Sequence, residues 1–365
     1  ITSNRKGRNI TLINEQGFEL GPDTEFDTFS GIRLGAVDAI AFKDGGSFGG
    51  GGAIEGQLSE GEAIYEMAPE RLTGSIKLFG PSLKDYISDD DTGQSDISLY
   101  GNVVDMIATG VTTFGGADIN LQANTLSMKR AVLEAMNPRG GEGGDINVRA
   151  NDLTMNSAGF FTITLGGPGG DINVDVSVMN TEKSTIEALS YKMANVRDKY
   201  QTGDINITAT DSFINNLVRL AVTSLTSGGA GDLNINAGTF VGDGPDWTAS
   251  TEIWLMAYKG KTGEININAD TFDAKQVRMI NVATSDLAGK LTELESASYG
   301  DVTINAQDIN LEKFLLYTGT QRVKEKTTIG DVKINAENEI NIGQILIRDW
   351  GWNRSGMGGD LGFTA

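Results

Sequence analysis

The stretch Gly203-Asp204-Ile205-Asn206-Ile207-Thr208-Ala209 decides the fold. Its isoleucines alternate with Asp204, Asn206 and Thr208. A period of two puts Ile205 and Ile207 on one face of a strand and the polar residues on the other. The same grammar returns downstream as Gly231-Asp232-Leu233-Asn234-Ile235 and Gly263-Glu264-Ile265-Asn266-Ile267. Upstream it reads Gly170-Asp171-Ile172-Asn173-Val174, Gly144-Asp145-Ile146-Asn147-Val148, Asp118-Ile119-Asn120-Leu121 and Asp96-Ile97-Ser98-Leu99. Looser copies are Ser75-Ile76-Lys77-Leu78, Gly300-Asp301-Val302-Thr303-Ile304, Gly330-Asp331-Val332-Lys333-Ile334 and Gly359-Asp360-Leu361, with Asn9-Ile10-Thr11-Leu12 and Ala53-Ile54 further upstream.

From Ser75 to Asp360 the copies are spaced by 21, 22, 27, 26, 33, 28, 32, 37, 30 and 29 residues. Periods of this size mark repeat architectures. Behind the first strand comes a short Asn-Ala or Thr-Ala corner, as at Asn236-Ala237. A second strand follows, such as Asp152-Leu153-Thr154-Met155 or Asp308-Ile309-Asn310-Leu311. A third, apolar strand closes the unit: Val218–Val222, Ile253–Met256 or Ile345–Ile347. An α/β sheet would need amphipathic helices of 10–15 residues between strands, and most copies have no room for one.

The expected fold is therefore all-β: a right-handed parallel β-helix, or β-solenoid, with about three short strands per coil and about 12 coils. Parallel crossovers are overwhelmingly right-handed. At about 4.8 Å per coil the rod is about 60 Å long. Residues 1–74 read as irregular N-terminal coils carrying the glycine-rich loop 45–52; residues 75–365 read as regular coils, one continuous domain. Loop insertions fall at 181–202, 284–298 and 321–329. Leu287, Leu291 and Leu294 give the second of these the spacing of one short helix.

The 365 residues carry 29 Lys+Arg and 49 Asp+Glu, a net charge of −20, with neither Cys nor His. No disulfide, thiolate, imidazole or Cys/His metal site is available. The charge argues against a nucleic-acid partner. No apolar run is long enough for a transmembrane helix.

Stacked copies align one acid per coil, including Asp145, Asp171, Asp204 and Asp232. Neighbours about 5 Å apart in water repel by roughly 0.8 kcal/mol. A row of oxygens of this kind is a candidate calcium column, calcium being the one cofactor the sequence suggests. The competing reading is that Asp after Gly caps a corner. Asn120, Asn147, Asn173, Asn206, Asn234 and Asn266 align as well, and amides in register bond up and down a stack. No catalytic or cofactor-binding residue is assigned. Asp89-Asp90-Asp91 is the densest acid cluster, but glycosidase chemistry depends on carboxyl separation in a cleft. Trp254 lies in a third strand and is expected in the core. Trp350 and Trp352 flank Gly351 in a loop and are candidates for a lateral contact.

Unpaired edges at the ends of a solenoid need covering. The C-terminal stretch Asp360-Leu361-Gly362-Phe363 opens a coil, and Arg5, Lys6, Arg8, Ile10 and Leu12 lie at the other end. The expected partner is a second copy, stacked head to tail, with residues 1–13 completing the coil begun at 358–365. Such a contact does not close and makes a filament.

The Gly-Asp-Ile-Asn-Ile-Asn/Thr-Ala grammar of Gly203–Thr210, Gly231–Gly238, Gly263–Asp270 and Gly330–Glu337 resembles the filamentous-haemagglutinin-like exoproteins of bacteria. The resemblance covers roughly residues 96–365. It implies a secreted or cell-surface β-helix. The function expected is that of an extracellular structural subunit of a filament, sheath or surface layer. The alternatives are an adhesin segment that contacts surface glycans or other cells, and a polysaccharide-binding or polysaccharide-degrading β-helix.

Overall fold

The computed structural model describes residues 2–3, 10–22, 24–28, 31–37, 39–41, 47–49, 72–80, 82–85, 96–191, 200–243, 251–258, 261–284, 298–320, 330–349 and 360–365. The chain is a parallel β-solenoid. Strands stack in sequence order into one long open sheet, and a small antiparallel hairpin pairs Ala39–Ala41 with Ser47–Gly49. Part of the glycine run thus serves as a hairpin strand.

Each coil has three legs. Ile146–Asn156 supplies the first two, bending near Asn151, and Gly159–Leu165 supplies the third. Along the first legs register is residue for residue, and it shifts by one residue at the following corner in three of the pairings. Ile146 lies on Ile119 and under Ile172, which meets Ile205, then Leu233. Among the described residues twelve first legs stack in this way, beginning at Ile10, Ile32, Ile97, Ile119, Ile146, Ile172, Ile205, Leu233, Ile265, Val302, Val332 and Leu361. In Ile265–Thr284 all three legs form one 20-residue strand. No helix occurs among the described residues.

Inward side chains make one continuous core. The second leg carries its heaviest part: Phe213, Phe240 and Phe272 stack along the axis with centroids 5.3 and 4.7 Å apart. Aromatic pairs at such distances add about 0.5–1.5 kcal/mol beyond area burial.

The structure corrects the period at its upstream end. Ser75–Phe79 is a second leg, paired with Val103–Ile107 and Gly17–Leu20. The first leg of its coil is Ile32–Ala36, which pairs with Ile97–Gly101. Ile32-Arg33-Leu34 has neither the Asp nor the Asn of the other copies, so the polar signature cannot find it. The interval of 21 therefore compared a second leg with a first. A second correction falls inside 181–202, where Thr185–Tyr191 is a third leg on Gly159–Leu165. The expected helix at 284–298 and the loop 321–329 lie outside the described residues, apart from their edges.

The corner between second and third legs was not foreseen. Gly80, Ala108, Arg130, Ser157, Lys183 and Leu217 all have φ between 49° and 72°. Each of the first five donates its N–H to a carbonyl one coil on, for example Arg130 to Asn156 at 2.9 Å and Ser157 to Glu182 at 2.8 Å. Left-handed geometry costs a non-glycine residue about 1–2 kcal/mol. The stack of hydrogen bonds holds it there.

Candidate functional site

Three features are available to bind something: the acid column, the outward faces of the legs, and the ends.

The acid column is a hydrogen-bonded ladder. The backbone N–H of Asp118 donates to Oδ1 of Asp96 at 3.0 Å, and Asp145 N–H to Asp118 at 2.8 Å. Asp171, Asp204, Asp232 and Glu264 continue it at 2.7–2.8 Å. Asp331 on Asp301 and Asp360 on Asp331 repeat it at 2.9 and 3.0 Å. Each carbonyl in the column also accepts from the following N–H of the coil before, as Ile172 does toward Asp204. The Asp therefore caps the next coil's turn rather than its own. The glycine before it is required by the close approach: a Cβ on Gly203 would overlap the carbonyl oxygen of Gly170.

Burial raises the carboxyl pKa of three members of this column. Asp118 is pushed up to about 7, chiefly by burial, against the opposing N–H of Asp145, with the charges of Asp96, Asp145 and Glu142 adding. Burial also raises Asp145 and Asp204. At the exposed far end Asp331 is lowered, first by the N–H of Asp360 and then by Lys333, whose Nζ lies 3.2 Å away. Among the described residues no three acidic side chains converge as a metal cage. Asp145, Asp171, Asp204 and Asp232 each spend an oxygen on a neighbour's N–H. The calcium reading gains no geometry from this arrangement.

The asparagine column forms the second ladder. Nδ2 of Asn147 donates to Oδ1 of Asn120, and Asn173, Asn206, Asn234 and Asn266 follow at 2.9–3.1 Å. A parallel ladder two residues on links Asn236, Asn268, Asn305 and Asn335 at 2.9–3.0 Å. Beside the first runs a shallow groove of about 440 Å³ lined by Tyr100, Gln122, Arg149, Asp175 and the asparagines. Arg149 and Asp175, one coil apart, pair across it at 3.6 Å.

The third-leg face differs. Its outward positions hold Phe114, Met136, Phe161, Ile163, Leu189, Trp254, Met256, Ile280 and Tyr317. Trp254 is thus not a core residue: it points out between inward Ile253 and Leu255, with the guanidinium of Arg219 over its ring at 4.7 Å. The sequence marked the third strand as apolar; it did not reveal that the apolar character continues on the outside.

Among the residues proposed for the ends, Ile10–Ile13 is a first leg on Ile32–Ala36, and Leu12 packs on the core. Leu361–Thr364 is a first leg on Val332–Asn335. Leu361 and Phe363 continue the inward column of Val332 and Ile334, yet are 49% and 44% exposed. Asp360 is exposed and bonded to Asp331. Arg5, Lys6, Arg8, Trp350, Trp352 and Asp89–Asp91 lie outside the described residues.

No helix among the described residues is long and apolar enough to cross a membrane. No protein-family model, curated protein or solved structure matches the chain.

Proposed function

We propose that the protein is a structural subunit that stacks head to tail, as part of a filament, sheath or layer outside the cell or on its surface. The observation that carries this reading is the apolar character of the last coil. Ile345 and Ile347 are 39% and 36% exposed, and Leu361 and Phe363 more so. One coil earlier the equivalent inward residues Phe314 and Leu316 are fully buried. An inward leucine or phenylalanine left in water forgoes about 1.5–3 kcal/mol. A further layer of coil recovers it, and a second copy is a layer with matching strands.

The ends fit in a definite way. Thr2–Ser3 pairs with Glu25–Thr28, so it is a third leg one level below the first complete coil. Leu361–Thr364 is a first leg one level above the last. In a stack, the shared coil takes its first leg from one copy and its third leg from the next. Ile10–Ile13 then lies directly over Leu361–Thr364. The second-leg position of the shared coil is filled by neither described end, so residues 1–13 supply a third leg and the following first leg, not a whole coil. Extracellular location is part of the proposal and rests on the resemblance of the repeat grammar to secreted β-helices.

Sedimentation velocity tests it. The chain should sediment as a concentration-dependent polymer series, and Leu361→Lys with Phe363→Lys should reduce that series sharply. A series unchanged by both lysines would remove this end from the contact.

A further inference from the structure

The apolar outer face of the third legs has no part in end-to-end stacking. We infer that it is a lateral docking surface for a second copy of this chain, so that rods associate side by side as well as end to end. This inference does not depend on the head-to-tail reading.

The stripe runs over eight stacked strands, from Gly110–Phe114 to the third leg of Val302–Thr320. Strand spacing of about 4.8 Å and strands of about 20 Å give a face of roughly 700 Å². A standard interface takes about 800 Å² from each partner. The area therefore suits one rod of the same length lying against another.

Charge makes the same choice of partner. The whole chain carries −20, so two copies repel on most approaches. On this face three acids, Glu134, Glu187 and Glu252, meet three bases, Arg219, Arg278 and Lys313. Arg219 pairs with Glu187 at 3.7 Å and Arg278 with Glu252 at 3.3 Å. The six charges sum to zero and four of them are paired, so a second acidic rod can approach here. A membrane or nucleic-acid partner would call for excess positive charge.

Smaller outward residues alternate with larger ones along the stack: Ala221 lies in register between Glu187 and Trp254, and the aliphatic Ile280 between the rings of Trp254 and Tyr317. An isologous pair covering the whole stripe places its two-fold axis at mid-stripe. The middle strands are Thr185–Tyr191 and Val218–Ser224, so Leu189 and Thr223 come nearest their own copies.

The experiment uses the full chain carrying Leu361→Lys and Phe363→Lys, which removes the apolar end. Sedimentation equilibrium over roughly 1–100 µM should give twice 38.8 kDa. Adding Ile163→Glu and Leu189→Glu should halve that mass while the circular dichroism spectrum is unchanged. A second measurement guards against a folding failure. The chain has no cysteine, so Leu189→Cys introduces a single thiol. A bis-maleimide should link it into covalent dimers, and a cysteine at Thr154, outward on the second leg, should not be linked. A mass of one chain throughout that range overturns the inference, including the case in which the face serves a glycan or lipid instead. So does equal cross-linking at Leu189 and Thr154. Loss of the polymer series in the lysine variant with persistence of the pair would leave both readings standing; loss of the pair alone would sink only this one.

Discussion

The outward face of the first legs and the outward face of the third legs belong to the same coils and have opposite chemistry. The first is a lattice of amides and carboxylates bonded along the axis. The third is aromatic and aliphatic, with two ion pairs among its few charges. Both legs bury alternate side chains in the same core. The difference therefore arises outside the core. On the first-leg side the stacked asparagines find their partners one coil away, so register is enforced by hydrogen bonds to identical neighbours. A slip by one residue would turn every Asn inward. On the third-leg side no such code exists, and the surface is left available for contact.

The largest expected effect separates the two sides with one kind of substitution. Gly203→Ala falls in the turn that leads into the first leg Ile205–Asn216, where its methyl meets the Gly170 carbonyl; it should cost about 3–4 kcal/mol in urea unfolding. Gly110→Ala, on a third leg with nothing within 4 Å, should cost less than about 1 kcal/mol. Similar costs at both sites would break the comparison.

Next comes Asn206→Leu. It removes the bonds to Asn173 and Asn234 at 3.0 and 2.9 Å, leaving one donor and one acceptor half-buried without partners. The expected loss is about 2 kcal/mol by denaturant melt. Phe161→Ser on the other face should leave the melt of the single chain within about 1 kcal/mol of the parent.

Asp118 sharpens the comparison through pH. Its folded pKa of about 7 lies above the ordinary value of 3.8. Well below the ordinary value of 3.8 the carboxyl is protonated in both states and makes no difference. Between pH 4 and 7 the unfolded chain ionises first, so stability falls as pH rises, and the cost is complete above pH 7. Asp118→Asn keeps an acceptor for the Asp145 N–H. It should stabilise by about 2 kcal/mol at pH 8, allowing for partial solvent screening, and by no more than about 0.5 kcal/mol at pH 4. Thermal melts at the two pH values check this; a gain at pH 4 equal to that at pH 8 would refute it.

The smallest effect is at the corner. Arg130→Gly relieves a φ of 52° at an exposed position and should stabilise by about 0.5–1 kcal/mol. A loss would mean that the side chain has a role the backbone angle does not reveal.

The legible part of the molecule was the part that repeats in identity. Asn147, Asn173, Asn206 and Asn234 recur because each bonds its own kind, so the first leg and its register could be read by eye. Ile32–Ala36 was missed because Gly31 stands where the later copies carry Asp or Glu, and Arg33 where most carry Asn, Ser or Thr. The αL corner was invisible because Ala108, Arg130, Ser157, Lys183 and Leu217 share a backbone angle and no side-chain type. The outward apolar face was hidden for a related reason: a strand such as Ile253-Trp254-Leu255-Met256 shows no alternation, and uninterrupted hydrophobicity reads as core. The acid column was found as a column, but its use in capping the next coil is a relation between coils. No single copy of the repeat contains it.

Negative-stain microscopy of the purified 365-residue chain is the most direct test of the structural reading. Twelve levels at about 4.8 Å predict unbranched filaments with an axial repeat of about 58 Å. Isolated rods of about that length, at every concentration, would contradict it.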